Sequence, residues 1–199
     1  MRVISGRARG LRLRAPQGTR LRPTADRVKE ALFSIIISRG VSLEGIRILD
    51  LCAGTGGVGI EALSRGAGEA YFVDNHPESV ACITRNIELA GFAGKGRVLA
   101  REALAVLREL EAHGEHFQLV FLDPPYRQGL TPRLLQALAG SRILDDTALV
   151  VAEFATGEEL ATTFDLLREC DRRRYGDTTV ALFEVQGSRF KVQSWNPEP

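Results

Sequence analysis

A chain of 199 residues, 44% hydrophobic and 26% charged, has the size and composition of one soluble globular domain with a sizeable core. No apolar stretch approaches the ~20 residues that cross a bilayer, and no apolar core follows the basic opening MRVISGRARG as it would in a signal peptide. No membrane partner is therefore expected, and residence is expected to be cytoplasmic. The net charge of +1 conceals an asymmetry: residues 1–30 hold nine Lys/Arg and two Asp/Glu, so +7, while the remainder hold 17 basic and 23 acidic residues, so −6.

The basic excess begins in RVISGRARGLRLRAP. There Val3, Leu11 and Leu13 alternate with Arg2, Arg12 and Arg14 around a Gly6–Gly10 turn. This spacing predicts a short hairpin with arginines on one face. Residues 1–22 are read as a basic β-hairpin arm, 23–187 as the main domain and 188–199 as a loose tail. Arg2, Arg7, Arg9, Arg12, Arg14, Arg22 and Arg27 are candidates for contacts with the phosphates of a polyanion. A solvated leader would share the charge but would not need the alternation. The arm is expected to be separable, so that deleting residues 1–15 weakens polyanion binding and spares the helix and the strand-end loops that follow.

Strand and helix patterns alternate beyond the arm. A helix starts after Pro23, with Thr24 as its cap and Val28, Leu32, Ile35 and Ile36 as its apolar stripe. IRILDL (46–51) reads as a buried strand, followed by a glycine loop and the helix VGIEALSRG. AYFVD (70–74) is a second strand, with a helix from Pro77 to about Ala90. RVLA (97–100) and FQLVFL (117–122) are the next strands, separated by the helix EALAVLRELEAHG. Helix LLQALAG, strand ALVVAEF (148–154), a polar helical stretch and strand TTVALFEV (178–185) follow. This order predicts a doubly wound α/β fold with a mostly parallel sheet. No helix separates TTVALFEV from the tail, which admits an antiparallel last pairing.

In such sheets ligands bind at the carboxyl ends of the strands, and the unusual residues of this chain gather there. Asp50 and the glycines follow the first strand, Asp74 ends the second, Glu102 follows the third, and Asp123-Pro124-Pro125-Tyr126 follows the fourth. DLCAGTGGVGIEAL contains Gly54-x-Gly56-x-x-Gly59, with Asp74 twenty residues after Gly54. Formally this is the dinucleotide fingerprint: glycines for close backbone approach, a helix N-terminus behind them, and an acid for ribose hydroxyls. It describes an adenosine-type cofactor without choosing between pyrophosphate and a sulfonium-bearing methionine. Asp50, at the mouth of the loop, repels a pyrophosphate and suits the ammonium and sulfonium of S-adenosylmethionine.

The DPPY stretch fits the second of these. An exocyclic amine of a base is a weak nucleophile, because its lone pair is delocalised into the ring. Methyl transfer onto it needs acceptors for the amine hydrogens and a flat wall for the ring. Asp123 offers a carboxylate, the carbonyl of Pro124 a second acceptor, and Tyr126 a stacking face for a flipped base. The prolines fix φ and so fix the direction of the carbonyl. Cys52, Cys82 and Cys170 match no metal or disulfide spacing. His113 and His116 have no further ligand nearby, so no metal is expected. Cys52 sits in the cofactor loop, away from any nucleophile's context, which argues against a covalent intermediate.

RVISGRARG, LRPTADRVKEALF, DLCAGTGGVGIEALSRGA, YFVDNHPESV, the asparagine of ITRNIELAG, and VFLDPPYRQG together resemble the RsmD-type family of ribosomal RNA guanine-N2 methyltransferases over nearly the whole chain. The DPPY loop is shared by many amino-directed methyltransferases, whereas LRPT-x-DRVKEALF beside EALSRGA is family-specific. The resemblance implies a class I, Rossmann-like S-adenosylmethionine-dependent fold with a seven-stranded sheet. It also implies methylation of one guanine of 16S rRNA, in the small ribosomal subunit or its assembly intermediate, by a monomer. It assigns Asp123, Pro124 and Tyr126 to catalysis and Asp50, Ala53, Gly54, Gly56, Asp74 and Glu102 to the cofactor. Departures are Cys52 in place of a bulky residue, Thr55 in place of serine, and Glu102 in place of aspartate.

The rivals each leave something over. An adenine-N6 or cytosine-N4 DNA methyltransferase shares DPPY but usually carries a target-recognition domain, for which 199 residues leave no room. A nicotinamide oxidoreductase leaves DPPY unexplained. A non-enzymatic RNA-binding module accounts for the arm alone.

Overall fold

A computed structural model describes residues 1–15 and 23–186, with the side chains of the first helix described from Asp26 onward. The first helix begins at Pro23, so Thr24, expected as its cap, lies inside it; its side chain, the candidate Arg22 and the tail 188–199 lie outside the described residues and side chains. The elements run α1 (Pro23–Ser38), β1 (Arg47–Leu51), α2 (Gly57–Ser64), β2 (Glu69–Asp74), α3 (Pro77–Leu89), β3 (Gly96–Ala100) and α4 (Ala103–Ala112). They continue as β4 (Phe117–Leu122), α5 (Leu130–Ala139), β5 (Leu144–Ala155), β6 (Thr163–Phe164), β7 (Leu167–Tyr175) and β8 (Thr178–Val185).

The strands form one sheet in the order β3-β2-β1-β4-β5-β8-β7-β6. β1 to β5 are parallel, and β8, β7 and β6 pair antiparallel at the far side. Alternate residues of β1 feed two cores. Ile48 joins Phe33, Ile60 and Ile83 of α1, α2 and α3 on one face. Leu49 joins Val106 and Leu134 of α4 and α5 on the other. Covered on both faces, the central strands must be apolar throughout, which is why IRILDL and FQLVFL read as continuous runs.

Two features differ from the sequence reading. Among the described residues the sheet has eight strands, not seven. Six of them match the strands read from the residues, and the other two, β6 and β7, lie in the stretch read as polar helix. LRECDRRRY, residues 167–175, is strand β7, paired with β8 from Leu167↔Val185 to Tyr175↔Thr178. Only Leu167 in it is buried, and a bulge between Glu169 and Asp171 breaks the alternation. With no apolar period of two, the strand owes its form to hydrogen bonds with β8, a partner supplied by the tertiary fold. Its charge also suits a strand near a sheet edge.

The N-terminal hairpin forms, held by an Arg2↔Arg12 bridge and by Val3 and Gly10 amides that donate to Leu11 and Val3 carbonyls, both at 2.9 Å. Arg2, Arg7, Arg9, Arg12 and Arg14 are exposed, while Val3 and Leu13 enter the core under α1, α2 and α3. The hairpin is therefore docked rather than free. Glu61 of α2, wholly buried, accepts the Ile4 and Ser5 amides at 2.7 and 3.0 Å. It also pairs with Lys29 of α1 at 3.2 Å and with Arg65 at 2.8 Å. Lys29 in turn donates to the Arg2 carbonyl at 2.6 Å. Gly6 approaches so closely that a Cβ would lie 1.8 Å from the Ser64 carbonyl oxygen. The hairpin also reaches the glycine loop: the Thr55 hydroxyl lies 3.6 Å from the Met1 sulfur. Buried Asn86 of α3 donates to the Thr55 and Arg14 carbonyls at 2.9 and 3.0 Å. The expectation that residues 1–15 can be removed without touching the glycine loop does not survive these contacts.

Candidate active site

β1 has β2 on one side and β4 on the other, so the chain winds in opposite directions from it. That is the topological switch point at which such sheets open a crevice. The loop leaving β1 turns through left-handed residues: Cys52 at φ 61°, Gly54 at 57° and Gly56 at 73°. A Cβ on Gly54 would meet no atom within 4 Å, so the backbone there is open to a ligand. Gly59 has another task. A Cβ on it would lie 2.3 Å from Phe72 Cε1, so its bareness lets α2 pack on β2.

The acids at the strand ends hold this loop. Asp74 accepts the Gly54 amide on one oxygen and the His76 amide on the other, each at 2.9 Å. Asp50 is buried and accepts the Gly59 amide at 2.9 Å. Burial raises its pKa to about 7, with Asp74 adding to the shift and the Gly59 amide opposing it. Glu102 is exposed and accepts from the Asn75 side chain at 2.5 Å. The Ala53 amide donates to the Val73 carbonyl at 3.0 Å, tying the loop to β2. At their centre, Cys52 is pushed up to about 12, first by burial and then by the charges of Asp74, Asp123, Asp50 and Glu102. Its thiol stays protonated and is a poor nucleophile. Four carboxylates around one loop suit a cationic ligand and oppose a pyrophosphate.

The DPPY loop stands beside it. The Asp123 amide reaches the Leu51 carbonyl at 3.3 Å, joining the ends of β4 and β1. Asp123 is exposed, Pro124 buried and Tyr126 half-buried. The Tyr126 hydroxyl donates to Glu153 at 2.9 Å and meets the Thr178 hydroxyl at 3.0 Å. Burial and then the Glu153 charge raise its pKa, so the phenol stays neutral. Arg127 has φ 60°, and its amide donates to Glu158, whose other oxygen accepts the Ala155 amide at 3.0 Å. The DPPY loop is thus stitched to the end of β5.

The fold brings Asp50, Ala53, Gly54, Gly56, Asp74, Glu102, Asp123, Pro124 and Tyr126 to one rim. Of the arginine candidates, Arg2, Arg7, Arg9, Arg12 and Arg14 lie on the docked hairpin, and Arg27 is exposed on α1. Sequence reading missed Glu153, Glu158 and Thr178. Glu153 was legible by the rule that found the others, since it is an acid near the carboxyl end of a parallel strand. Thr178 was not, because it begins a strand whose antiparallel pairing alone carries it to this rim.

A doubly wound sheet, a glycine loop at its switch point and an acidic rim define the class I methyltransferase fold. A hypothetical protein of Thermus thermophilus superposes with a TM-score of 0.79 at 33% identity, covering 93% of this chain and 99% of that one. A solved structure of a protein complexed with SAH shares the fold at 15% identity and a TM-score of 0.66, covering 83% of this chain and 50% of that one. The family described as Conserved hypothetical protein 95 matches residues 1–184. Ribosomal RNA small subunit methyltransferase D of Escherichia coli K12 is 34% identical over 162 residues, 81% of this chain and 78% of its own. The chain belongs to this RsmD-type methyltransferase family.

Proposed function

We propose that the protein methylates the exocyclic N2 amine of one guanine in 16S rRNA of the small ribosomal subunit, acting as a monomer with S-adenosylmethionine as donor. One juxtaposition carries this reading: a carboxylate-lined glycine loop lies next to an amine-accepting DPPY loop at the switch point. The kinship with small-subunit rRNA methyltransferases supports the choice of RNA.

Asp74 and Glu102 are suited to ribose and adenine contacts. Gly54 and Gly56 give backbone approach, Ala53 lines the loop, and Asp50 adds negative charge beneath it. Bound S-adenosylmethionine supplies a methyl group already activated on a sulfonium. The chain's own contribution is alignment and exclusion of water. Asp123 and the Pro124 carbonyl accept the two amine hydrogens, turning the nitrogen lone pair toward the donor. Tyr126 stacks the base, its hydroxyl pinned so that the ring cannot swing. The amine proton leaves after the methyl group has been transferred, so Asp123 need not be a strong base.

The test is label transfer from methyl-tritiated S-adenosylmethionine to small-subunit rRNA, with nucleoside analysis of the product. N2-methylguanosine is expected. Asp123→Ala should cut turnover by roughly a hundredfold or more while binding the donor as the wild type does. Label in any other nucleoside, or wild-type turnover by Asp123→Ala, would overturn the assignment.

A further inference from the structure

Asn86 stands in the last turn of α3, away from the rim, and is wholly buried. A buried amide must have its polar groups satisfied, and the partners of this one come from two distant segments. Its Nδ2 donates to the Thr55 carbonyl at 2.9 Å and to the Arg14 carbonyl at 3.0 Å. Its Oδ1 accepts the Arg14 amide at 2.8 Å. Flipping the amide would set N–H against N–H and oxygen against two carbonyls, so only one orientation fits. The end of the docked hairpin thus fixes the side chain, and the side chain in turn holds the glycine loop.

Thr55 is the point at which that loop needs holding. It lies between Gly54 and Gly56, at φ 57° and 73°, and glycines on both sides let the intervening backbone rotate at little cost. The peptide that joins Thr55 to Gly56 is planar, so securing both its ends fixes its orientation. At one end the Gly56 amide donates to the Ala53 carbonyl at 2.7 Å, a bond internal to the loop that moves with it. At the other end the Thr55 carbonyl is held by Asn86, on a helix packed against β2 and β3. Gly56 is also the cap at which α2 begins, so the same peptide sets the entry into the helix behind the loop.

We propose that Asn86 is a positioning residue for S-adenosylmethionine: anchored on the docked hairpin, it locks the Thr55–Gly56 peptide in the orientation that admits the cofactor. Its hydrogen-bond partners are Arg14, Thr55 and Cys82, none of them in the DPPY loop. Its loss should therefore weaken cofactor binding and leave the chemical step.

The experiment is calorimetric titration of full-length protein with S-adenosylmethionine, at a temperature where circular dichroism shows each variant folded. Asn86→Ala removes all three bonds. Asn86→Asp at pH 8 keeps an acceptor for the Arg14 amide but has no proton for Thr55. Each should weaken binding roughly tenfold. In methyl transfer to 16S rRNA the KM for S-adenosylmethionine should rise with it, while kcat stays within about twofold of the wild type. Ile87→Ala is the control. Ile87 is buried beside Gly96 of β3, so its truncation loosens the same helix without touching the loop; the melting temperature should fall and the Kd should stay that of the wild type. Wild-type affinity in either folded Asn86 variant overturns the proposal. So does an equal loss in Ile87→Ala, since any loosening of α3 would then suffice, or a loss of kcat with KM unchanged. The kinetic half alone rests on the rRNA reading. Wild-type protein that binds S-adenosylmethionine yet leaves 16S rRNA unmethylated overturns that reading, and the titration still decides the role of Asn86.

Discussion

The chemistry of Asp50 is altered by its place. Its pKa is raised to about 7 by burial, against ~4 in an unfolded chain. Between those values the native state binds a proton that the unfolded state has released. The stability this group contributes is full below pH ~4, falls as pH rises toward 7, and is lost above. Asp50→Asn keeps an acceptor for Gly59 and removes the titration. Urea unfolding at pH 5 and pH 8 should show a smaller drop in the variant than in the wild type, and equal drops would show that Asp50 ionises normally. A cationic ligand beside Asp50 favours its charged form, so S-adenosylmethionine should bind more tightly at pH 8 than at pH 6, and the Asn variant should lose that difference. Gly59→Ala tests the packing half of the same loop. The added methyl strikes the Phe72 ring and should cost about 1–3 kcal/mol in thermal or urea unfolding.

At the scale of elements, the hairpin, α1 and α2 act as one unit through a buried ion pair. Lys29 is 3% exposed and Glu61 not at all, and burial lowers the Lys29 pKa against the opposing charge of Glu61. Glu61→Gln leaves that ammonium buried without its carboxylate and should destabilise the protein by about 3–5 kcal/mol, read from urea unfolding. Deleting residues 1–15 should also lower the melting temperature, because Val3 and Leu13 leave the core with it. A truncation that melts with the wild type would contradict the docked hairpin. Point substitutions of the exposed arginines, not truncation, are therefore the clean probes of RNA binding.

For the whole molecule, a ligand that binds only the folded state stabilises it in proportion to saturation. S-adenosylmethionine at a hundred times its Kd should add about 2.7 kcal/mol, a rise of about 5–10 °C for a domain of this size. NADH should give none, since the rim carries carboxylates where a pyrophosphate would sit. Equal shifts from both ligands would remove the charge argument from the cofactor assignment.

The sequence by itself determined the parallel half of this protein. Strands covered on both faces must be apolar along their length, so β1, β2 and β4 were visible. Their polar endings marked the rim, and the glycine spacing marked the loop that leaves β1. The tertiary structure alone decided what those loops lean on. Tyr126 meets Glu153 and Thr178, 27 and 52 residues away in the chain, and Arg127 meets Glu158, 31 residues away. The hairpin amides find their acceptor in Glu61, 57 residues on from Ile4. No local pattern encodes these meetings, because each depends on which strand lies beside which. β7 is the clearest case. Its charged sequence has no strand period, and only the hydrogen-bonding edge of β8 makes it a strand.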